Sequence, residues 1–270
     1  LLRDRGFNIV GITMKIPTAE NCDIRRSCCG MEAGYVCRDL DIPHYYLDVR
    51  ELFEAEVIQP FRDAYLKGIT PSPCVDCNTR VKFTAVWDAV EDMLGVSMLA
   101  TGHYARILRE DGKAYLARGV DHVRDQSYFL YGIPARRLVN LYLPLTEFSK
   151  DEVRAMAADA HLPVARKQDS MELCFAGEGD YRQALGDIPD TSGEIVDLQG
   201  NVLGKHSGIY NYTIGQRKGL GIPAKEPYFV LKVDADTNRV VIGSKEMLYS
   251  KYVKAHQIKD RKSTRLNSSH

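Results

Sequence analysis

Short apolar runs alternate with amphipathic stretches along the first 160 residues of the chain. The pattern of buried strands occurs at 7–14, 43–49 and 97–104, and the pattern of helices at 32–40, 52–65, 83–94 and 150–160. Strands that alternate with helices at this spacing pack as a parallel sheet with helices on its faces. We therefore predict an α/β fold built on a doubly wound parallel sheet.

The pattern changes after Gly186. Residues 193–204 are typical of a hairpin with a polar turn, and 228–234 with 239–243 are typical of a second hairpin. We therefore predict a catalytic domain at 1–187 and a small β-rich domain at 188–259. Residues 260–270 resemble a translated sequencing adapter, so we exclude them from the fold prediction.

Composition limits the classes of protein that the chain can belong to. The chain has 270 residues, and its 36 basic and 36 acidic residues balance, so a nucleic acid would have to bind a local basic patch. It contains no apolar run of the roughly 18 residues that a membrane span needs, and no signal peptide is visible. Its seven cysteines follow no secreted spacing, which favours the cytoplasm.

Cys74 and Cys77 form a Cys-x-x-Cys pair directly after Thr-Pro-Ser-Pro at 70–73. The prolines predict that the helix begins only after the cysteines, which places both thiols at a loop-to-helix junction. The helix dipole and the nearby Arg80 and Lys82 would lower a thiol pKa there. Such a pair suits zinc, an iron–sulfur cluster or dithiol redox chemistry, and two buried structural cysteines are the alternative.

Cys174 follows a polar run at 166–170 and precedes Phe175. A lone cysteine is usually an inert core residue, and the Cys-x-x-Cys pair is what favours a chemical role here. We therefore expect the three sulfurs to converge at the nucleotide end of the sheet.

Three further segments suit ligand contacts. Gly102 ends a predicted strand, where open α/β sheets bind ligands, and His103 follows it. Arg124, Asp125 and Gln126 precede an apolar helix and suit either ligand contact or helix capping. The loop at 214–222 places Arg217 and Lys218 among glycines, which suits phosphate contacts, with a solvated turn as the alternative.

Five segments together resemble bacterial tRNA-specific 2-thiouridylases, in the family's order and across residues 1–259. They are G-I-T-P-S-P-C-V-D-C-N (68–78), A-T-G-H-Y (100–104), R-D-Q-S-Y-F-L (124–130), D-S-M-E-L-C-F (169–175) and G-Q-R-K-G-L-G-I (215–222). The resemblance implies an adenine-nucleotide alpha-hydrolase-like domain that uses ATP and Mg²⁺. It also implies replacement of the C2 oxygen of the wobble uridine by sulfur in tRNAs for Lys, Glu and Gln.

The resemblance also implies roles for single residues. Cys174 would carry sulfur as a persulfide, and Cys77 would resolve it, through a Cys77–Cys174 disulfide in one version. A cysteine desulfurase or a relay protein would donate the sulfur. Met14 and Gly102 match ATP-binding positions. The tRNA contacts would be Ser72, Pro73, Cys74, His103, Arg124, Asp125 and Gln126.

Departures from the family pattern keep alternatives open. The family's pyrophosphate loop is expected before residue 1 and its C-terminal barrel after the chain, so we expect residues 1–270 not to bind ATP productively. Many members have Asp in place of Cys74. With that thiol, Cys74, Cys77 and Cys174 could instead bind a 4Fe–4S cluster. Another adenylating enzyme of the superfamily, or a non-catalytic zinc or nucleic-acid-binding module, would not need Cys174.

Overall fold

The computed structural model of the chain describes residues 1–17, 32–166, 173–176, 181–188 and 191–255. These residues form two compact units. The first unit contains the described residues of Leu1–Val57 and Pro73–Tyr181, and the second contains those of Ile58–Ser72 and Arg182–Lys259. The division predicted from sequence places 58–72 in the first domain, whereas these residues pack with the second unit. Residues 260–270 lie outside the described part of the chain.

Two parallel strand pairs lie in the first unit. Strand β1 (Gly11–Lys15) pairs with β2 (His44–Asp48), and β3 (Leu99–Ala100) pairs with β6 (Leu141–Tyr142). The chain before β1 contacts β6, because the Phe7 ring lies 5.9 Å from the Tyr142 ring. Parallel pairing is what the alternation of strand and helix patterns predicts.

The first unit also contains a hairpin that the sequence analysis missed. Strands β4 (Ala105–Glu110) and β5 (Lys113–Arg118) pair antiparallel around Asp111 and Gly112. Both turn residues have positive φ, 50° and 71°. Asp-Gly is a strong signal for such a two-residue turn, so the sequence did contain the information.

Helices follow the strands of the first unit, and several are shorter than the predicted segments. The helical stretch at 50–66 continues past the unit boundary and ends before Gly68, which has φ 69°. The α-helices are α1 (Glu32–Asp39), α2 (Arg50–Phe53), α3 (Gln59–Leu66), α4 (Pro73–Asp76), α5 (Trp87–Leu94), α6 (Ser127–Leu130), α7 (Ala135–Leu138) and α8 (Lys150–Asp159), with π-helical segments at Glu54–Ile58 and Cys77–Val86. No helix within the described ranges is both long and apolar enough to cross a membrane.

The core of the first unit forms where α5 and its preceding π-helix pack on α6, α7 and the hairpin. Phe83 and Trp87 are buried there with Leu130, Ile133 and Leu141. Arg137 covers this core, since its guanidinium lies 4.9 Å from the Trp87 ring centre and pairs with Asp88 and Glu91. This core fixes the helix that contains the cysteine pair.

The second unit is built on a four-stranded sheet. Its strands are β7 (Gly193–Val196), β8 (Val202–His206), β9 (Phe229–Asp234) and β10 (Arg239–Gly243), in the order β8-β7-β10-β9. Both predicted hairpins form, and the two hairpins join through parallel β7 and β10. Ile195, Val230, Val240 and Ile242 fill the core.

Candidate functional site

Cys74 and Cys77 lie in the first turns of a long helix and not before it. Pro73 opens α4, and the helix continues through the π-helical segment Cys77–Val86 into α5. The prediction that the prolines delay the helix was therefore wrong. Proline is favoured in the first turn, because the N–H that it lacks has no partner there in any case. Cys74 is exposed and Cys77 is half-buried.

A carboxylate and a guanidinium lie beside the cysteine pair. Arg80 pairs with Glu56 at 3.0 Å and with Asp76 at 3.5 Å. Burial raises the pKa of the Asp76 carboxyl, Arg80 opposes that rise, and Glu56 adds to it. The positive charge that the sequence analysis assigned to the thiols is thus shared with two carboxylates.

The residue after Cys174, Phe175, contacts the helical stretch that contains Glu56. The Phe175 ring packs on Phe53 with 5.8 Å between ring centres. Phe53 and Glu56 are about one helical turn apart, and Glu56 holds Arg80 of the cysteine helix. The segment of Cys174 and the helix of Cys77 therefore both contact the stretch 53–56. Convergence of the three sulfurs at the nucleotide end of the sheet stays a prediction.

No disulfide joins the four described cysteines to one another, which are Cys37, Cys74, Cys77 and Cys174. Cys22, Cys28 and Cys29 lie outside the described residues.

Within the described part of the chain, the side chains do not form a site for a metal cluster. Across the described ranges, no group of three or more His, Cys, Asp or Glu side chains is placed to hold a metal ion. Cys74, Cys77 and Cys174 all belong to those ranges, so they do not form the three-ligand set that the 4Fe–4S hypothesis needs. A zinc site at the cysteine pair lacks a ligand set for the same reason.

Asn78 connects the cysteine helix to the Arg-Asp-Gln segment. Its side chain is buried, donates to the Phe129 carbonyl at 3.1 Å, and accepts from Lys82 Nζ at 3.1 Å. Gly132 packs so closely on Thr79 that a side chain at Gly132 would overlap the Thr79 hydroxyl. Helix α6 is thereby fixed against the first turns of the cysteine helix.

Asp125 and Gln126 use their acceptors within the protein. Asp125 accepts from the Gly119 N–H at 3.1 Å and from the Ser127 hydroxyl at 2.7 Å. Gln126 Oε1 accepts from the Tyr104 N–H at 2.9 Å, and the Gln126 N–H donates to the Tyr104 carbonyl at 2.8 Å. These bonds suit the capping alternative of the sequence analysis, and they set the position of the half-buried Arg124 next in the chain.

The predicted nucleotide residues lie on or after strands of the two parallel pairs. Met14 is half-buried in β1 opposite Leu47. Gly102 is exposed just after β3, where an added Cβ would lie 3.5 Å from Leu145, so a ligand can approach its backbone. His103 bonds to Thr101 at 2.9 Å and packs on Phe83 at 5.7 Å between ring centres.

The remaining predicted contacts lie near the start of the cysteine helix and in the second unit. Ser72 is half-buried and Pro73 is buried. In the second unit, Gln216 accepts from the Thr213 N–H at 3.0 Å and donates to the Lys218 carbonyl at 2.9 Å. These bonds leave Arg217 and Lys218 exposed.

Comparisons with known proteins match the chain over most of its length. The family model described as "tRNA methyl transferase HUP domain" matches residues 1–178, and the one described as "tRNA methyl transferase PRC-barrel domain" matches 185–244. A protein of Acidithiobacillus ferrooxidans named tRNA-specific 2-thiouridylase MnmA is 44% identical over 254 residues, covering 92% of this chain and 71% of the relative. The chain belongs to the MnmA family.

Other MnmA proteins are similar to the same extent. The MnmA protein of Acetivibrio thermocellus is 39% identical, and the match covers 96% of this chain and 75% of the relative. The MnmA protein of Moorella thermoacetica is 44% identical, and the match covers 92% of this chain and 72% of the relative. The family resemblance and the α/β fold followed by a β-rich domain are therefore confirmed. The family is one of tRNA-modifying enzymes: the family model is described by methyl transfer, whereas the relatives are named for thiolation.

The sequence analysis missed the residues that connect the site. The spacing of Asp76 and Arg80 on one helix face could have revealed their ion pair. The contacts of Glu56 with Arg80 and of Asn78 with Phe129 join residues that are 24 and 51 positions apart. Nothing in local sequence indicates such contacts.

Proposed function

We propose that the chain provides the sulfur-transfer site of an enzyme that replaces the C2 oxygen of the wobble uridine of tRNA with sulfur. The observation that carries this proposal is that two residues contact the stretch 53–56: Phe175, next to Cys174, packs on Phe53, and Arg80 of the cysteine helix pairs with Glu56. It supports a site to which Cys174 and the Cys74–Cys77 helix both contribute.

The chemistry begins with activation of the uridine. A carbonyl oxygen is a poor leaving group, so ATP adenylates the C2 oxygen and pyrophosphate leaves. Met14 and Gly102 are the residues that we assign to the nucleotide, and Mg²⁺ would accompany it. The exposed backbone of Gly102 supports this assignment, because an added Cβ there would make only an ordinary contact with Leu145.

Sulfur then moves from Cys174 to C2 of the uridine in two steps. The terminal sulfur of a Cys174 persulfide attacks C2 and AMP leaves with the oxygen, which gives a Cys174–S–S–C2 adduct. The Cys77 thiolate attacks the Cys174 sulfur, and the electrons of the broken S–S bond remain on the sulfur bound to C2. The products are 2-thiouridine and a Cys77–Cys174 disulfide, which a thiol reductant must reduce before the next cycle. A cysteine desulfurase or a relay protein reloads Cys174.

Sulfur transfer is favoured over methyl transfer because it uses the cysteines. Transfer of a methyl group to RNA gives no role to the Cys77 and Cys174 thiols. The tRNA set for Lys, Glu and Gln, and a cytoplasmic location, stay predictions.

The test is nucleoside mass spectrometry of tRNA from a bacterial strain that lacks its own 2-thiouridylase and is complemented with the gene. Cys174→Ser and Cys77→Ser should each abolish 2-thiouridine, whereas Cys37→Ser should leave it intact. Burial raises the pKa of the Cys37 thiol, which makes it a matched, unreactive control. Normal thiolation by the Cys174 variant would refute the proposal, and a methylated nucleoside in its place would favour the other reaction.

A further inference from the structure

Two tyrosines are exposed beside the cysteine helix. Tyr128 of α6 is 64% exposed, and Tyr131 directly after α6 is 50% exposed. Their ring centres lie 6.1 Å apart, and the Tyr128 ring also lies 5.5 Å from the Phe129 ring. Single exposed apolar residues are common on protein surfaces, but here two exposed rings lie together, tilted by 53° to each other, so each presents its own face beside the other.

Contacts on the neighbouring residues hold this pair against the helix that contains Cys74 and Cys77. Asn78, next to Cys77, donates to the carbonyl of Phe129, next to Tyr128. Helix α6 also packs on α4, the turn that contains the exposed Cys74. The rings therefore lie on a rigid element held against the cysteine helix.

We propose that Tyr128, supported by Tyr131, stacks on the base that flanks the target uridine in the anticodon loop. The inference rests on the proposed function and names a contact that the function needs. A uridine that reacts at C2 must leave the stack, and the neighbouring base then loses a stacking partner. Proteins that bind single-stranded RNA replace that partner with aromatic side chains, and Tyr128 is exposed for this purpose.

Charge supports the same occupant. Arg124 lies four residues before Tyr128 in the segment that leads into α6, and aromatic side chains combined with nearby positive charge are the usual means of binding a nucleic-acid strand. A protein partner would instead favour a larger apolar patch with a polar rim.

The experiment measures binding of the chain to an anticodon stem-loop RNA that carries 2-aminopurine next to the target uridine. Stacking on Tyr128 should quench the fluorescence. Tyr128→Ala should weaken binding about 5- to 150-fold and remove the quenching, because base–aromatic stacking contributes roughly 1–3 kcal/mol. Tyr128→Trp should restore both. Tyr45→Ala is the matched control, since Tyr45 is 50% exposed on β2 of the same unit.

Salt dependence separates stacking from charge. Tyr128→Ala should leave the slope of log affinity against log salt unchanged, whereas Arg124→Ala should reduce it by about 1. Wild-type binding with full quenching by the Tyr128→Ala variant would overturn the inference and leave the proposed function intact. Absence of RNA binding by the wild-type chain would also overturn the inference, whereas the proposed function is tested separately by the nucleosides of the complemented strain.

Discussion

The contact between Gly132 and Thr79 allows a quantitative test of how the site is held. An added Cβ at Gly132 would overlap Thr79 Oγ1 and lie 2.9 Å from both Thr79 Cβ and Thr79 Cγ2. Ordinary carbon contacts need about 3.5–4.0 Å, so Gly132→Ala must push the chain away from the cysteine helix by several tenths of an ångström. Overpacking of this kind costs roughly 1–3 kcal/mol, and the lower entropy of the unfolded alanine chain offsets about 0.4–1 kcal/mol. We expect a net loss of about 1–2 kcal/mol.

Urea unfolding followed by tryptophan fluorescence measures this loss. Trp87 is the only tryptophan in the sequence and is buried in the core of the first unit, so its emission reports on that unit. Gly102→Ala is the control, because its Cβ would make only an ordinary contact with Leu145. The urea concentration at the unfolding midpoint of Gly102→Ala should stay near that of the wild type.

A double-mutant cycle identifies the cause. Thr79→Ala removes the Oγ1 and Cγ2 atoms that the new Cβ would meet, so Gly132→Ala should cost at least 1 kcal/mol less in that background. The Thr79 hydroxyl is buried without a hydrogen-bond partner among the described residues, so its removal should cost little by itself. If Gly132→Ala is as stable as the wild type, or the two changes are additive, the close packing is not what positions α6.

Three further predictions concern the same unit. Burial holds the pKa of Asp76 above its usual value, so the ionised form of Asp76 destabilises the folded protein. Asp76→Asn should therefore raise the free energy of unfolding at pH 7–8, and this gain should shrink as the pH falls towards the ordinary carboxyl pKa of about 4. A gain that does not change between pH 4 and pH 8 would contradict this. Arg137→Met should cost about 1–3 kcal/mol in urea unfolding, because Arg137 covers Trp87 and pairs with Asp88 and Glu91; an unchanged midpoint would show that these contacts add nothing. Ser149→Ala should cost about 1 kcal/mol, since Ser149 and Glu152 form a capping box at the start of α8; Ser149→Asp, which can still cap, should recover most of it.

Local patterns were sufficient for the elements whose stability is local. Helix α8 with its Ser149 cap and the two hairpins of the second unit form where the sequence predicts them. The helix of the cysteine pair begins earlier than predicted, because a proline that blocks a helix interior is favoured in its first turn. The order of family motifs was likewise readable without coordinates, and the comparisons confirm the family.

The amino-acid order by itself determined the fold class and the family. Hydrophobic period and capping chemistry act between near neighbours, so they can be read from the chain. Only the tertiary structure decided that Phe175 rests on Phe53, that Arg80 joins Glu56, and that Asn78 holds α6 with its exposed tyrosines. Those contacts depend on how whole helices pack, and packing is set by the shape of the entire core rather than by any short stretch of sequence.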